Sequence, residues 1–399
     1  MVVALALGIG LASSTFSILD GLIFRPYPVP DPGGVLSLVS TTHDKNFEAF
    51  SYREYLDLSA KTKSYDGVIA NTDMQAVGFS PEPGQTARIK GGMMVSGNYF
   101  RALGVEPRLG RGFRDDEDRV PGRDAVVVLG PEFWKREFAG DPAAVGRTIR
   151  LNGKDFTIVG VAPQHFSGML TFARPDLYVP LAMATVFSTN AQKMFFEDRD
   201  DRELSVKARL RRGVSLDQAR SEITVLAKEF EGQFPKFNRS RGAAVHTQFE
   251  TRTLEDQNWR FGLIFVILGV AVLLLACLNA AGLLLSRGRA RTHEIAVRLA
   301  IGAGRFRLVR LLLTESLVIA GAGGLGGVAL GYGIVDWFHT KQDIIFMSDL
   351  PFFIPFRMDE RALLASVAFA LMSALLCAGW RRRCRARRWT WWMVSRRPM

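Results

Sequence analysis

Five histidines, three cysteines and a short acidic run are the side chains in this 399-residue chain that chemistry would most readily use. His43, His165, His246, His293 and His339 include no pair at zinc-ligand spacing, and HExxH is absent. There is no GxSxG elbow. No cysteine lies between residues 25 and 260, so that stretch has neither a thiol nucleophile nor an internal disulfide. Asp115–Asp118 is acidic throughout, but it lacks the alternating ligands and turn glycine of a calcium loop and reads as a solvated loop. Asn152-Gly153-Lys154 is a hairpin turn, because no GxxxxGK(S/T) surrounds it. These residues point to no enzyme, no metal and no cofactor.

The charge is more informative. The formal net charge is +12, with 48% hydrophobic and 23% charged residues. Residues 287–310 hold seven arginines and one acid, and residues 381–399 hold eight arginines and no acid, which leaves −2 for everything else. A nucleic-acid-binding domain spreads its positive field over a whole domain. Here two arginine blocks sit on a nearly neutral body, so no nucleic-acid partner is expected.

Both blocks border apolar runs. Met1–Leu19, Gly262–Ser286, Ser316–Val335 and Ala362–Trp380 contain no Asp, Glu, Lys or Arg and are 19, 25, 20 and 19 residues long. A helix needs about 20 apolar residues to cross a bilayer core, so four transmembrane α-helices are expected, with membrane lipid as their surroundings. The positive-inside rule puts both arginine blocks in the cytoplasm. The first run then leads outward and exports a large domain inserted between helices 1 and 2. A signal peptide would need a basic flank before this run and a small-x-small cleavage site after it, and neither is present. The expected divisions are 1–24 (helix 1), 25–260 (exported domain), 261–286 (helix 2), 287–310 (cytoplasmic segment), 311–338 (helix 3), 339–361 (external loop), 362–380 (helix 4) and 381–399 (basic tail).

Within the exported domain, Pro26, Pro28, Pro30 and Pro32 end the first helix in an extended stretch. Val126–Leu129 reads as a buried strand and Glu132–Phe138 as a helix. Thr148–Leu151 and Phe156–Val159 flank Asn152-Gly153 as a hairpin. Leu204–Leu210 alternates as a strand. Ser215 and Gln218 form a capping box for a helix with Leu216, Ala219, Ile223, Leu226 and Phe230 on one face. The mixture implies an α+β domain of two subdomains.

In the cytoplasmic segment Thr292 caps and Gly302 ends a short helix. Ile295 and Leu299 share one face, and Glu294 pairs with Arg298 at i, i+4 on another. Periodicity leaves two roles open: an interfacial anchor on lipid head groups, or a lever that docks into a cytoplasmic partner. Gly323, Gly327 and Gly331, at four-residue spacing in helix 3, are expected to let another helix approach closely. Asn279 and Glu315, polar groups at membrane depth, are expected to hydrogen-bond within the bundle.

Three stretches together resemble the FtsX-like permeases of ABC systems, of the macrolide-exporter (MacB) type. Ala6–Gly10, Phe16–Asp20 and Leu22–Pro26 look like the first span and its exit. Val126–Trp134, Gly146–Gly153, Val159–Pro163 and Leu177–Pro180 are similar to the MacB-like periplasmic core domain. Ala276–Asn279, Glu294–Ala303 and Leu313–Ser316 resemble the FtsX permease core. The periplasmic motifs look closest to the large duplicated permeases of acidobacteria.

The resemblance implies a mechanotransmission permease in the bacterial inner membrane, with its large domain in the periplasm. A separate cytoplasmic ABC ATPase would move the helix around Glu294–Gly302, making Glu294, Ile295, Arg298, Leu299 and Gly302 the coupling residues. The spans would carry that motion to the periplasmic domain for export or signalling. A second permease unit, as a homodimer or a fused half, is implied, and a periplasmic adaptor is a further candidate partner. The chain departs from the family pattern twice. The first span lacks its basic cytoplasmic flank, and Arg381–Trp392 replaces the usual short end, either as a tryptophan-anchored tail or as the aberrant or truncated end of a longer permease. The rival class is a membrane-anchored extracytoplasmic receptor or scaffold with no ATPase partner.

Overall fold

The computed structural model describes residues 2–45, 47–81, 85–164, 166–170, 174–187 and 194–254, with parts of 263–278, 310–337 and 364–368. The chain divides into two compact units, one of Met1–Phe24, Arg260–Gln342 and Pro355–Met399, the other of Arg25–Trp259 and Asp343–Ile354. In chain order the elements are α1 (Val2–Ile23), β1 (Val35–Thr41), β2 (Phe50–Ser51), α2 (Tyr52–Lys61), β3 (Tyr65–Asn71), β4 (Gln75–Ser80), β5 (Arg88–Val95), α3 (Tyr99–Leu103), β6 (Leu109–Gly110), β7 (Val126–Leu129), α4 (Pro131–Phe138), β8 (Thr148–Leu151), β9 (Lys154–Val161), β10 (Leu177–Pro180), α5 (Ala184–Phe187), α6 (Met194–Glu197), β11 (Arg202–Leu210), α7 (Leu216–Gln233), α8 (Pro235–Asn238), β12 (Gly242–His246) and α9 (Gln248–Leu254).

In the larger unit, β11 lies between β1 and β3 and is antiparallel to both, while β12 adds antiparallel to β1. The order β12-β1-β11-β3, with α2 leading to β3 and α7 leading to β12, is that of two interlocked βαβ units. One face is apolar because β11 alternates: Leu204, Val206 and Ala208 are buried beneath Tyr55 and Leu58 of α2 and Ala219, Ile223, Leu226 and Phe230 of α7. Both helices start on complete capping boxes, Ser51 with Glu54 and Ser215 with Gln218, which satisfy otherwise orphaned N–H groups. The strand, helix and capping box expected from residues 204–230 all form.

Between β3 and β11 the chain builds a second subdomain. β5, β10, β7, β9, β8 and β4 pair in succession, and β4 returns to β5, so six strands close a ring without a free edge. The Asn152-Gly153 hairpin joins β8 to β9, with both residues at positive φ as the tight turn requires. Val77, Met94, Leu151, Leu177 and Val179 line one crevice of the ring. On its outside, Met93, Val95, Val128 and Tyr178 pack with Tyr99, Phe100 and Phe166. β6 crosses β9 so closely that a Cβ on Gly160 would meet the Arg111 carbonyl at 2.2 Å. An α+β unit of two subdomains is therefore what the alternating and turn-forming segments produce.

In the smaller unit, α1 packs against helical residues 321–334. Gly10 faces this pairing: a Cβ there would lie 3.1 Å from Gly327 O and 3.5 Å from Gly331 N. A Cβ on Gly327 would come within 2.8 Å of Ile9, and one on Gly326 within 3.2 Å of Ala6 Cβ. α1 also buries Ser13, Ser14, Ser17 and Asp20. Among the described residues no helix is long and apolar enough to cross a membrane, and most of expected helices 2 and 4 lies outside them.

Candidate functional site

The expected coupling residues Glu294, Ile295, Arg298, Leu299 and Gly302, with Asn279 and Glu315, lie outside the described residues. Gly323, Gly327 and Gly331 lie within them and are buried. The best-defined polar construction is elsewhere, where the chain enters and leaves the larger unit.

The proline-rich entry, residues 25–31, crosses the sheet face opposite α2 and α7. Tyr27 and Val29 are buried there with Val35 of β1 and Ile69 of β3. Proline at alternate positions holds this strap extended without a sheet partner. Its start is fastened to the exit helix: Tyr27 N donates to Gln248 Oε1 at 3.1 Å, while Gln248 Nε2 and Arg252 Nη1 donate to Arg25 O at 2.8 and 2.6 Å. The Arg252 guanidinium stands 5.2 Å from the Tyr27 ring centre, and Lys207 Nζ stands 6.0 Å from it. Burial pushes the Arg252 pKa down.

The far end of the strap is held by Arg209. Its Nη2 donates to Pro30 O at 3.0 Å and Leu103 O at 2.7 Å, and its Nε donates to Ala102 O at 2.6 Å. One guanidinium thus joins the strap, β11 and the last turn of α3, which follows the ring strand β5. Exit helix α9 is fixed in turn: Thr247 and Glu250 cap its start reciprocally, and Arg220 Nη2 of α7 donates to both Glu250 carboxylate oxygens at 2.8 Å. Charge-assisted hydrogen bonds of this kind are stronger than neutral ones. The base therefore holds chain entry, chain exit, β11 and α3 on one hydrogen-bonded frame.

None of Tyr27, Lys207, Arg209, Gln248 or Arg252 was singled out from sequence. Period-two alternation assigns Lys207 and Arg209 to a solvent face of β11, yet beneath the strap Lys207 is buried and Arg209 is half-buried. The nearest signal was the proline spacing itself.

The acidic run is solvated only in its first half: Asp115 and Asp116 are exposed as expected, whereas Glu117 and Asp118 are drawn inward. Glu117 is buried and bonds bidentately to Arg111. The Asp118 carboxylate accepts Gly97 N–H at 2.9 Å and Ala182 N–H at 2.8 Å, tying the β5–α3 turn to the end of β10. Burial raises its pKa to about 6. A carboxyl whose folded pKa exceeds its unfolded one contributes stability that is complete below the unfolded value and is lost as pH rises through about 6. The melting temperature of the full chain should accordingly gain from lowering pH from 7.5 to 5, and Asp118→Asn should flatten that dependence. Parallel curves for the two proteins would exclude the effect.

Comparison with known proteins identifies the family of the chain. Residues 1–226 match the model of the MacB-like periplasmic core domain, and residues 266–382 match that of the FtsX-like permease C-terminal region. The macrolide export ATP-binding/permease protein MacB of Chromobacterium violaceum is 27% identical over 240 residues, which is 60% of this chain and 34% of that protein. Its counterpart in Salmonella typhi is 23% identical over 239 residues, 59% of this chain and 34% of that protein. The chain thus spans about a third of the length of the curated relatives it matches. Similar solved structures include the periplasmic region of MacB from Actinobacillus actinomycetemcomitans, with TM-score 0.40, 18% identity and coverage of 56% of this chain and 93% of that one. The extracellular domain of the noncanonic ABC-type transporter YknZ from Gram-positive bacteria gives TM-score 0.37 and 12% identity, covering 52% of this chain and 98% of that one. With the first model spanning residues 1–226 of 399 and the second 266–382, the chain belongs to the MacB-like periplasmic core domain family and carries an FtsX-like permease region.

Proposed function

We propose that this chain is the permease subunit of an ABC-type system, transmitting the motion of a separate cytoplasmic ATPase to its periplasmic domain for export or signalling. Four spans cross the inner membrane, oriented by the arginines of 287–310 and 381–399. The 287–310 segment meets the ATPase through Glu294, Ile295, Arg298 and Leu299, and Gly302 ends its helix. Gly323, Gly327 and Gly331 serve close helix packing, and Asn279 bonds within the bundle. A second permease unit completes the assembly.

The observation that carries this reading is the base of the larger unit. Residues that follow the first apolar run and residues that precede the second are bonded directly to each other, through Arg25 with Gln248 and Arg252. Relative displacement of those runs would load that junction, and Arg209 would pass the load to α3. A scaffold with no ATPase partner has no need of such a frame.

Charge reversal at both Glu294 and Arg298 tests the reading. The reversed chain should still insert and fold but should lose co-purification with a nucleotide-binding subunit from native membranes. An unaffected complex would favour the receptor or scaffold.

A further inference from the structure

Asn152 is the only asparagine in the chain that is followed by glycine. The pair forms the tip of the β8–β9 hairpin and is exposed. Asn152 N donates to Gly78 O at 2.8 Å, and Gly78 N in turn donates to Asn152 Oδ1 at 2.8 Å. These two bonds extend the β4–β8 seam of the ring, which otherwise pairs Phe79 with Leu151 and Ser80 with Arg150. Asn152 Nδ2 reaches Val186 O across 3.5 Å. Arg150 Nε donates to Gly153 O at 2.9 Å.

We propose that Asn152-Gly153 is a deamidation site whose isoaspartyl product unfastens this end of the seam. Glycine carries no Cβ, so Gly153 N can approach Asn152 Cγ, and the five-membered ring closes by rotation about bonds of Asn152 itself. Gly78 N–H draws electrons from the side-chain carbonyl and stands where its oxygen would take up negative charge, the placement that stabilises a tetrahedral intermediate. The Arg150 cation beside Gly153 favours loss of the Gly153 amide proton, and exposure admits the hydroxide that removes it. The bond from Gly153 N to Asn152 Cγ forms, the Cγ–Nδ2 bond breaks, and ammonia leaves with a proton from water, which restores the hydroxide. Water then opens the succinimide at either carbonyl. Breaking the bond from Gly153 N to Cγ gives aspartate, and breaking that to the Asn152 main-chain carbon gives isoaspartate. In isoaspartate the former side-chain carbonyl has joined the main chain, so it is no longer a side-chain acceptor for Gly78 N–H.

The full chain, folded in detergent micelles or unfolded in urea with dodecyl sulfate, is held at mildly alkaline pH and sampled by mass spectrometry of peptic digests. Enzymatic methylation of the new carboxylate reads isoaspartate separately from aspartate. Asn152 should convert in the folded chain within a few-fold of its rate in the unfolded chain, and well ahead of Asn71, Asn98 and Asn238. Arg150→Met should slow the folded conversion several-fold and leave the unfolded rate unchanged. The melting temperature of the folded chain should fall in step with its isoaspartate content, whereas Asn152→Ser, which forms no succinimide, should hold its own melting temperature over the same time. An Asn152 that stays intact when folded but converts when unfolded would overturn the proposal. So would an Arg150→Met chain that converts like wild type, or a melting temperature that ignores the isoaspartate formed.

Discussion

Arg202→Met is expected to destabilise the larger unit by about 3–5 kcal/mol, the cost of leaving a buried charge unpaired. Arg202 Nη1 lies 2.6 Å from Glu54 Oε2, and its Nη2 donates to Asn238 Oδ1 at 3.0 Å. Both partners are buried. Glu54 also accepts the Ser51 N–H and so completes the cap of α2. Removing the guanidinium strands the carboxylate between helix and sheet. Adding Glu54→Gln removes the stranded charge and should restore all but about 1–2 kcal/mol, since the cap and the Asn238 bond are weakened. Urea unfolding read by pulse proteolysis measures both. A single variant within 1 kcal/mol of wild type would show that solvent reaches the pair.

Gly327→Leu should separate α1 from helical residues 321–334. A Cβ there already falls 2.8 Å from Ile9 Cβ and 3.1 Å from Ala6 O, so the larger side chain must push the helices apart at a cost of about 1–3 kcal/mol or more. Cross-linking gives a direct reading. Gly326 and Ala6 are close enough that cysteines at the two positions should oxidise to a disulfide readily. Adding Gly327→Leu should reduce that yield several-fold. An unchanged yield would mean that the glycines do not set the approach.

Local physics made much of the larger unit legible. The hairpin at Asn152-Gly153, the helix opened by Ser215 and Gln218, and strand β11 depend on residues within a few positions of one another, and each forms as expected. The closure of the ring did not show, because it depends on parallel pairing of 92–95 with 177–180, which no local pattern reports. The base was hidden for a related reason. Alternation separates Leu204, Val206 and Ala208 from Lys207 and Arg209, yet it cannot reveal that a distant strap covers the second face. Asp118 looked solvated because acids in a run usually are; its two backbone donors come from Gly97 and Ala182, far away in sequence.

These long-range bonds matter most for the proposed function. Strap, exit helix and α3 share one polar frame at the base, which is the arrangement that the proposed passage of displacement from the chain ends requires. Under the proposed topology the arginine blocks put those ends on one side of the membrane and the 287–310 segment on the other.

Labelling with a membrane-impermeant maleimide in a chain freed of its native cysteines tests that assignment most directly. Asn152→Cys should react in intact cells, and Thr292→Cys should react only after the inner membrane is opened. Equal reactivity of the two from one side would contradict the topology and the coupling built on it.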